Sequence, residues 1–111
     1  MKELQYEKND NYTLVRLRSD FTQHDFLEMR SFFNAKFLDE GDAKIILDCD
    51  NMIELPSIAL GVFCSLARDV RRKRATFSLI HVSAGVKSIM EQTHVAKQVP
   101  VFNTLSEAIA G

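Results

Sequence analysis

Apolar residues recur along this chain with two different periods, and their alternation outlines the fold. Residues 4–7 read as a short strand, and Lys8-Asn9-Asp10-Asn11 is a turn by composition. In residues 12–18, Thr13, Val15 and Leu17 share one face while Tyr12, Leu14 and Arg16 share the other. That period of two predicts a half-buried strand, paired with the first as a hairpin. The period then switches. Phe26, Met29, Phe33 and Phe37 fall at i, i+3, i+7 and i+11, one stripe of a helix. Phe32 and Leu38 widen the stripe, and Glu28, Asn34 and Lys36 fall on the water side. Ser19, Asp20 and Thr22 offer capping groups before it, and Gly41 offers a stop.

Ile45-Ile46-Leu47 is apolar without alternation, the pattern of a central strand buried on both faces. A second helix is expected from about Ile58 to Arg72. Its stripe is Leu60, Phe63, Cys64, Ala67 and Val70, with Gly61 as a point of close packing. Residues 77–82 alternate as a further strand, and Ser83 can cap a third helix carrying Val86, Ile89 and Met90 on one face. Val99-Pro100-Val101-Phe102 suits an edge strand, because proline cannot donate to a ladder. Thr104-Leu105-Ser106-Glu107 is a capping box ahead of a last helix with Leu105, Ala108 and Ile109. The expected fold is a single α/β domain over residues 1–111, a mixed sheet of four to five strands packed with about four helices.

Composition narrows the function. Hydrophobic residues are 46% of the 111 and charged ones 26%, an ordinary globular balance. A net charge of −1 supplies no basic field to gather nucleic acid. Cys49 and Cys64 form no CxxC pair and read as small reduced hydrophobes. Nothing resembles a signal peptide, and no apolar run approaches the roughly 18 residues of a membrane span, so a cytoplasmic location is expected. GxGxxG, GxxxxGK[ST] and GxSxG are all missing, and His24, His81 and His94 share no ligand spacing. Asp48 and Asp50 flank Cys49 as paired carboxylates, but with no third ligand nearby they read as a turn rather than a Mg²⁺ site. No cofactor or metal is expected, and the residues point to a binding or switching module rather than an enzyme. Arg68, Arg71, Arg72, Lys73 and Arg74 crowd the end of the second helix. Such cations offset the helix dipole, or form a patch for a phosphate, a lipid head group or an acidic partner.

The chemistry of interest gathers in residues 53–63, where an apolar strand gives way to a helix with Ser57 at the junction. Taken alone, Ser57 after Pro56 reads as an N-cap. In order and spacing, nearly the whole chain resembles the STAS domain of bacterial anti-sigma factor antagonists. The resemblance rests on Ile45-Ile46-Leu47-Asp48, on Pro56-Ser57-Ile58-Ala59-Leu60-Gly61-Val62-Phe63 and on residues 77–83. Val86-Lys87-Ser88-Ile89-Met90 and residues 101–109 complete it. That family's switch runs Asp-Ser-Ser/Thr-Gly-Leu-Gly-Val-Leu. Ser57 takes the place of the phosphorylated serine, and Leu60, Gly61 and Val62 match. Pro56, Ile58 and Ala59 replace the Asp, the second hydroxyl and the first Gly.

The resemblance implies a protein-binding module switched by phosphorylation of Ser57. Its implied partners are an anti-sigma factor serine kinase and a serine phosphatase. Ile53, Glu54, Pro56, Ile58, Ala59 and Leu60 are the expected docking surface. The alternative is a constitutive, unphosphorylated adaptor in a larger signalling or lipid-transport complex. A third reading, a nucleotide-binding protein or enzyme, would use Asp48, Asp50 and the Arg71 to Arg74 cations.

Overall fold

In the computed structural model, which describes residues 2–52 and 54–111, five strands form one mixed sheet in sequential order. β1 (Gln5–Lys8) pairs antiparallel with β2 (Thr13–Arg16), closing the expected hairpin. β3 (Lys44–Asp48), β4 (Thr76–Ile80) and β5 (Val101–Phe102) then add in parallel. The parallel steps are crossed by α1 (Gln23–Phe33), α2 (Ser57–Arg72) and α3 (Ala84–Gln92). Crossovers of one hand that always step the same way place their helices on one face of a sheet. The opposite face is left to the short α4 (Leu105–Ala110).

Register explains which residues meet which layer. Val15, Leu47 and Leu79 lie side by side, as do Ile45 and Phe77, and all point into the core under α1 to α3. The intervening Leu14, Ile46 and Ile80 point the other way, against Ala108 of α4. The uninterrupted Ile45-Ile46-Leu47 run is therefore buried on both faces. β2 corrects the half-buried expectation, since Thr13, Leu14 and Val15 are all buried. The hairpin leaves β2 inside the sheet, where α4 covers the side the alternation assigned to water.

The first helix begins as a capping box. Thr22 accepts from the Asp25 backbone N–H, and Asp25 accepts from that of Thr22 at 2.8 Å. Lys2 also binds Asp25, through its backbone at 2.9 Å and its ammonium at 3.0 Å. The Thr22 and Lys2 N–H groups hold the Asp25 carboxyl well below the usual carboxylate range. α1 ends at Phe33 and widens into a π-helical turn, Asn34–Leu38, which keeps Phe37 inward; Gly41 (φ 89°) then closes the turn. Phe37 stacks edge-on with Phe33 at 5.0 Å, and Phe26 with Phe63 of α2 at 6.3 Å.

α1 and α2 are clamped by charge. Arg30 donates to both carboxylate oxygens of buried Asp69, at 2.7 and 2.8 Å, and Asn34 adds a third bond at 2.9 Å. Asn34 thus serves the helix interface rather than water. The Arg30 bonds hold the Asp69 carboxyl below its ordinary value.

α2 ends in a Schellman motif. Arg74 donates to the Arg71 carbonyl at 3.1 Å and Ala75 to that of Val70 at 2.8 Å. The motif puts Arg74 at φ 57°, a left-handed backbone that glycine takes more easily.

Two stability predictions follow from these contacts. Asp69 has a lowered folded-state pKa, so its stabilisation is complete above its unfolded value near 3.8 and is lost as pH falls through the folded one. Asp69→Asn should cost about 2 kcal/mol at pH 7 and flatten the loss of stability as pH falls through the ordinary carboxylate range and below it, read by urea unfolding. Arg74→Gly should raise stability by about 0.5–1 kcal/mol in the same measurement.

Candidate functional site

The first part of the loop between β3 and α2 is held at several points. Cys49 donates to the Ile80 carbonyl at 3.0 Å, and Met52 to that of Cys49 at 2.9 Å. Asn51 reaches the Leu17 carbonyl at 3.4 Å, and Met52 is buried. Asp48 supplies the remaining anchor: its Oδ1 accepts from the Asp50 N–H at 3.0 Å and lies 3.0 Å from His81 Nδ1. His81 is not within a strand as its alternation suggested. It follows β4 with φ 58°, which turns its ring onto Asp48. The Asp48 carboxylate is thus engaged locally, and Asp50 is exposed. Among the described residues, no group of three or more His, Cys, Asp or Glu side chains could hold a metal. His24 sits beside Glu28 on α1, and His94 follows α3 with φ 64°.

Pro56 arrives at φ −58° and occupies the cap position of α2 without a side-chain bond. Its carbonyl accepts from the Ala59 N–H at 2.9 Å. Ser57 is therefore the first helical residue rather than the N-cap, and the helix begins one residue earlier than the apolar stripe suggested. Its side chain is exposed. The helix is also rotated from the expected stripe. Ala59, Val62, Phe63, Leu66 and Ala67 face the core, while Leu60 and Cys64 are half-buried. Gly61 is exposed and has nothing within 4 Å of where a Cβ would stand, so it is not a close-packing point.

The expected docking residues divide accordingly. Glu54 is exposed, and Pro56, Ile58 and Leu60 are half-buried around Ser57. Ala59 is fully buried and acts as a packing anchor rather than a contact. Ile53 lies outside the described residues. Two grooves run from this surface. One of about 440 Å³ lies between α1 and α2, lined by Leu27, Arg30, Ile58, Gly61 and Ser65. The other, about 520 Å³, lies between α2 and α3, lined by Leu55, Leu60, Val86 and Ile89. Leu27 is 56% exposed and Ile89 48%, so each groove has an apolar lip. Leu27 was missed in the sequence because it sits one residue off the helical stripe. Ile89 was placed on the buried face of α3, but only Val86 and Met90 are buried there.

The basic residues form a separate surface. Arg68, Arg71, Arg72, Lys73 and Arg74 are all exposed at the far end of α2. Asp69, the one acid among them in sequence, is turned inward to Arg30. Burial pushes the Cys49 thiol up to about 12, so it is held as an unreactive thiol. Among the described residues, no helix is long and apolar enough to cross a membrane.

A family model of the STAS domain matches residues 3–108. The chain belongs to the STAS domain family. The TM1081 homolog of Thermotoga neapolitana, named as a candidate anti-sigma factor antagonist, is 27% identical over 74 residues. That stretch is 67% of this chain and 66% of the relative, just under two thirds of its length. The NMR structure of TM1081 superposes with a TM-score of 0.91 at 19% identity, covering 99% of this chain and 88% of that one. The phosphorylated form of the Bacillus cell fate determinant SpoIIAA gives 0.73 at 16% identity, over 97% of each chain. The STAS fold of this chain is thus that of proteins described as anti-sigma factor antagonists, and the loop and α2 start of the STAS domain carry Ser57.

Ser57→Ala should change stability by less than about 0.5 kcal/mol, since no described contact depends on the hydroxyl. Ala59→Leu, two residues on, should cost about 1–3 kcal/mol by overpacking. Paired thermal melts separate an exposed position from a structural one.

Proposed function

We propose that this STAS domain binds an anti-sigma factor through the first turns of α2, and that phosphorylation of Ser57 by that partner's kinase activity releases it. A phosphatase would restore binding. The observation that carries the reading is an exposed hydroxyl on the first residue of α2, surrounded by the half-buried Pro56, Ile58 and Leu60. The STAS family membership and its named relatives support the choice of partner.

The physics allows a switch that leaves the fold intact. The first turn of a helix presents unpaired N–H groups and the positive end of the dipole, so a phosphate there is tolerated. It adds a charge of about −1.5 to −2 in the middle of an apolar contact. Burying that charge against an apolar partner surface opposes binding through desolvation. The kinase would supply its own base and Mg²⁺-ATP, so the substrate contributes chiefly reach. Ser57 has it.

A constitutive adaptor is the second reading, favoured by the same turn. Pro56 stands in place of the family's Asp, and Ile58 replaces its second hydroxyl. A kinase that reads those groups would pass this chain by, while the apolar docking surface would be enlarged by Ile58.

Calorimetry against an anti-sigma factor kinase from the same genome tests both. Ser57→Ala should bind like the wild-type chain, and Ser57→Asp at least about tenfold more weakly, roughly 1.4 kcal/mol. Because a carboxylate at the helix start is itself favourable by about 0.3–1 kcal/mol, Ser57→Asp should bind worse while melting no lower. Equal binding by Ser57→Asp and wild type, with Ile58→Asp still disruptive, would select the adaptor. Indifference to all three changes would remove this surface as the docking site.

A further inference from the structure

We infer that the β1 edge is a self-association surface, on which a second copy of this chain adds its own β1 to make one continuous sheet. The two ends of the sheet are unequal. β5 is two residues long and follows Pro100, a protected edge. β1 is four residues without proline, and all four are exposed.

The hairpin fixes which of its backbone groups are unused. Asn9 donates to the Tyr12 carbonyl at 3.1 Å, so positions 9 and 12 form a hydrogen-bonded pair. Bonded pairs alternate along an antiparallel ladder, which gives Glu7 with Leu14 and Gln5 with Arg16 as the next two. The N–H and C=O groups of Tyr6 and Lys8 then point outward.

The side-chain surface beside that edge is apolar at its centre. Tyr6 is 39% exposed and packs edge-on against Phe37 at 5.1 Å and Phe32 at 6.2 Å. With Leu4, Leu27 and Phe32 it lines a groove of about 890 Å³ between β1 and α1. Tyr6 and Leu27 are two of the three exposed large hydrophobics among the described residues.

The rim identifies a copy of the same chain as the occupant. Lys2 reaches Asp25 at the start of α1, and Lys8 reaches the Lys36 carbonyl and Glu40 beyond its end. β1 and α1 therefore run the same way. Glu3 lies at one end of the groove, where Lys2 is already paired with Asp25, and Lys36 lies at the other. A two-fold axis at Tyr6 reverses the second groove, so Glu3 of each copy faces Lys36 of the other. It also sets Tyr6 opposite Tyr6 of the second copy, and Leu4 opposite Lys8, with the free backbone groups in register. Two-fold pairing of one patch with itself is the commonest route to a homodimer.

Sedimentation equilibrium of the full chain over roughly 10–500 µM should show a monomer–dimer equilibrium, within reach of a standard-size interface. Tyr6→Lys should raise its dissociation constant at least about tenfold. Lys36→Glu, an exposed change that keeps the test usable if Tyr6→Lys unfolds, should also weaken it, and Lys36→Glu with Glu3→Lys should restore it. Tyr6→Cys in a Cys64→Ser background should cross-link under mild oxidation, since directly opposed Cα atoms are about 5.5 Å apart. A cysteine at position 8, about 14 Å from its copy in this register, should not. A wild-type chain monomeric throughout, or a dimer indifferent to the Tyr6 and Lys36 changes, overturns the inference.

Discussion

Two-sided burial of β3 is the constraint from which the architecture follows. Ile45 and Leu47 must be covered on one face and Ile46 on the other, and all three are fully buried. Three crossover helices cover the first face because the parallel strands add in one direction. Only α4 is left for the second, and Ala108 with its neighbours covers Leu14, Ile46 and Ile80 but reaches no further. The uncovered remainder of that face is polar, where Glu7, Arg16 and Asp48 lie next to one another. A short helix over a wide sheet thus leaves one edge strand, β1, without cover.

The same core fixes the start of α2. Ala59, Val62 and Phe63 lock one side of α2 into the sheet, and the Arg30–Asp69 pair fixes its rotation against α1. A helix held on its inner side presents its opposite side unchanged whatever sits on Ser57. That separation of roles suits a charge-driven switch. Under the proposed function, a partner would read that surface without the fold having to respond.

The basic end of α2 shows how one residue changes a reading. In sequence, Asp69 offsets one of five nearby cations. In the fold it is buried and serves Arg30 and Asn34, so the cations face water without it. Arg74 has a conformational duty as well, closing the helix in a left-handed backbone. Arg74 therefore has a part in ending the helix beside the charge it carries.

The sequence by itself determined the element order, the mixed α/β class, the Phe26-Met29-Phe33-Phe37 stripe and the double burial of β3. Each depends on local periodicity or capping, which is encoded within a few residues of itself. Tertiary structure alone decided the rest. Whether β2 is half-buried or buried depends on a helix nearly a hundred residues later in the chain. The rotation of α2, which makes Ala59 an anchor and leaves Leu60 at the rim, depends on which neighbours it packs between. The Arg30–Asp69 clamp, the His81–Asp48 contact and the exposed Tyr6 and Leu27 join residues far apart in sequence. Periodicity reports that a face is apolar, but what covers that face is settled only when the elements meet.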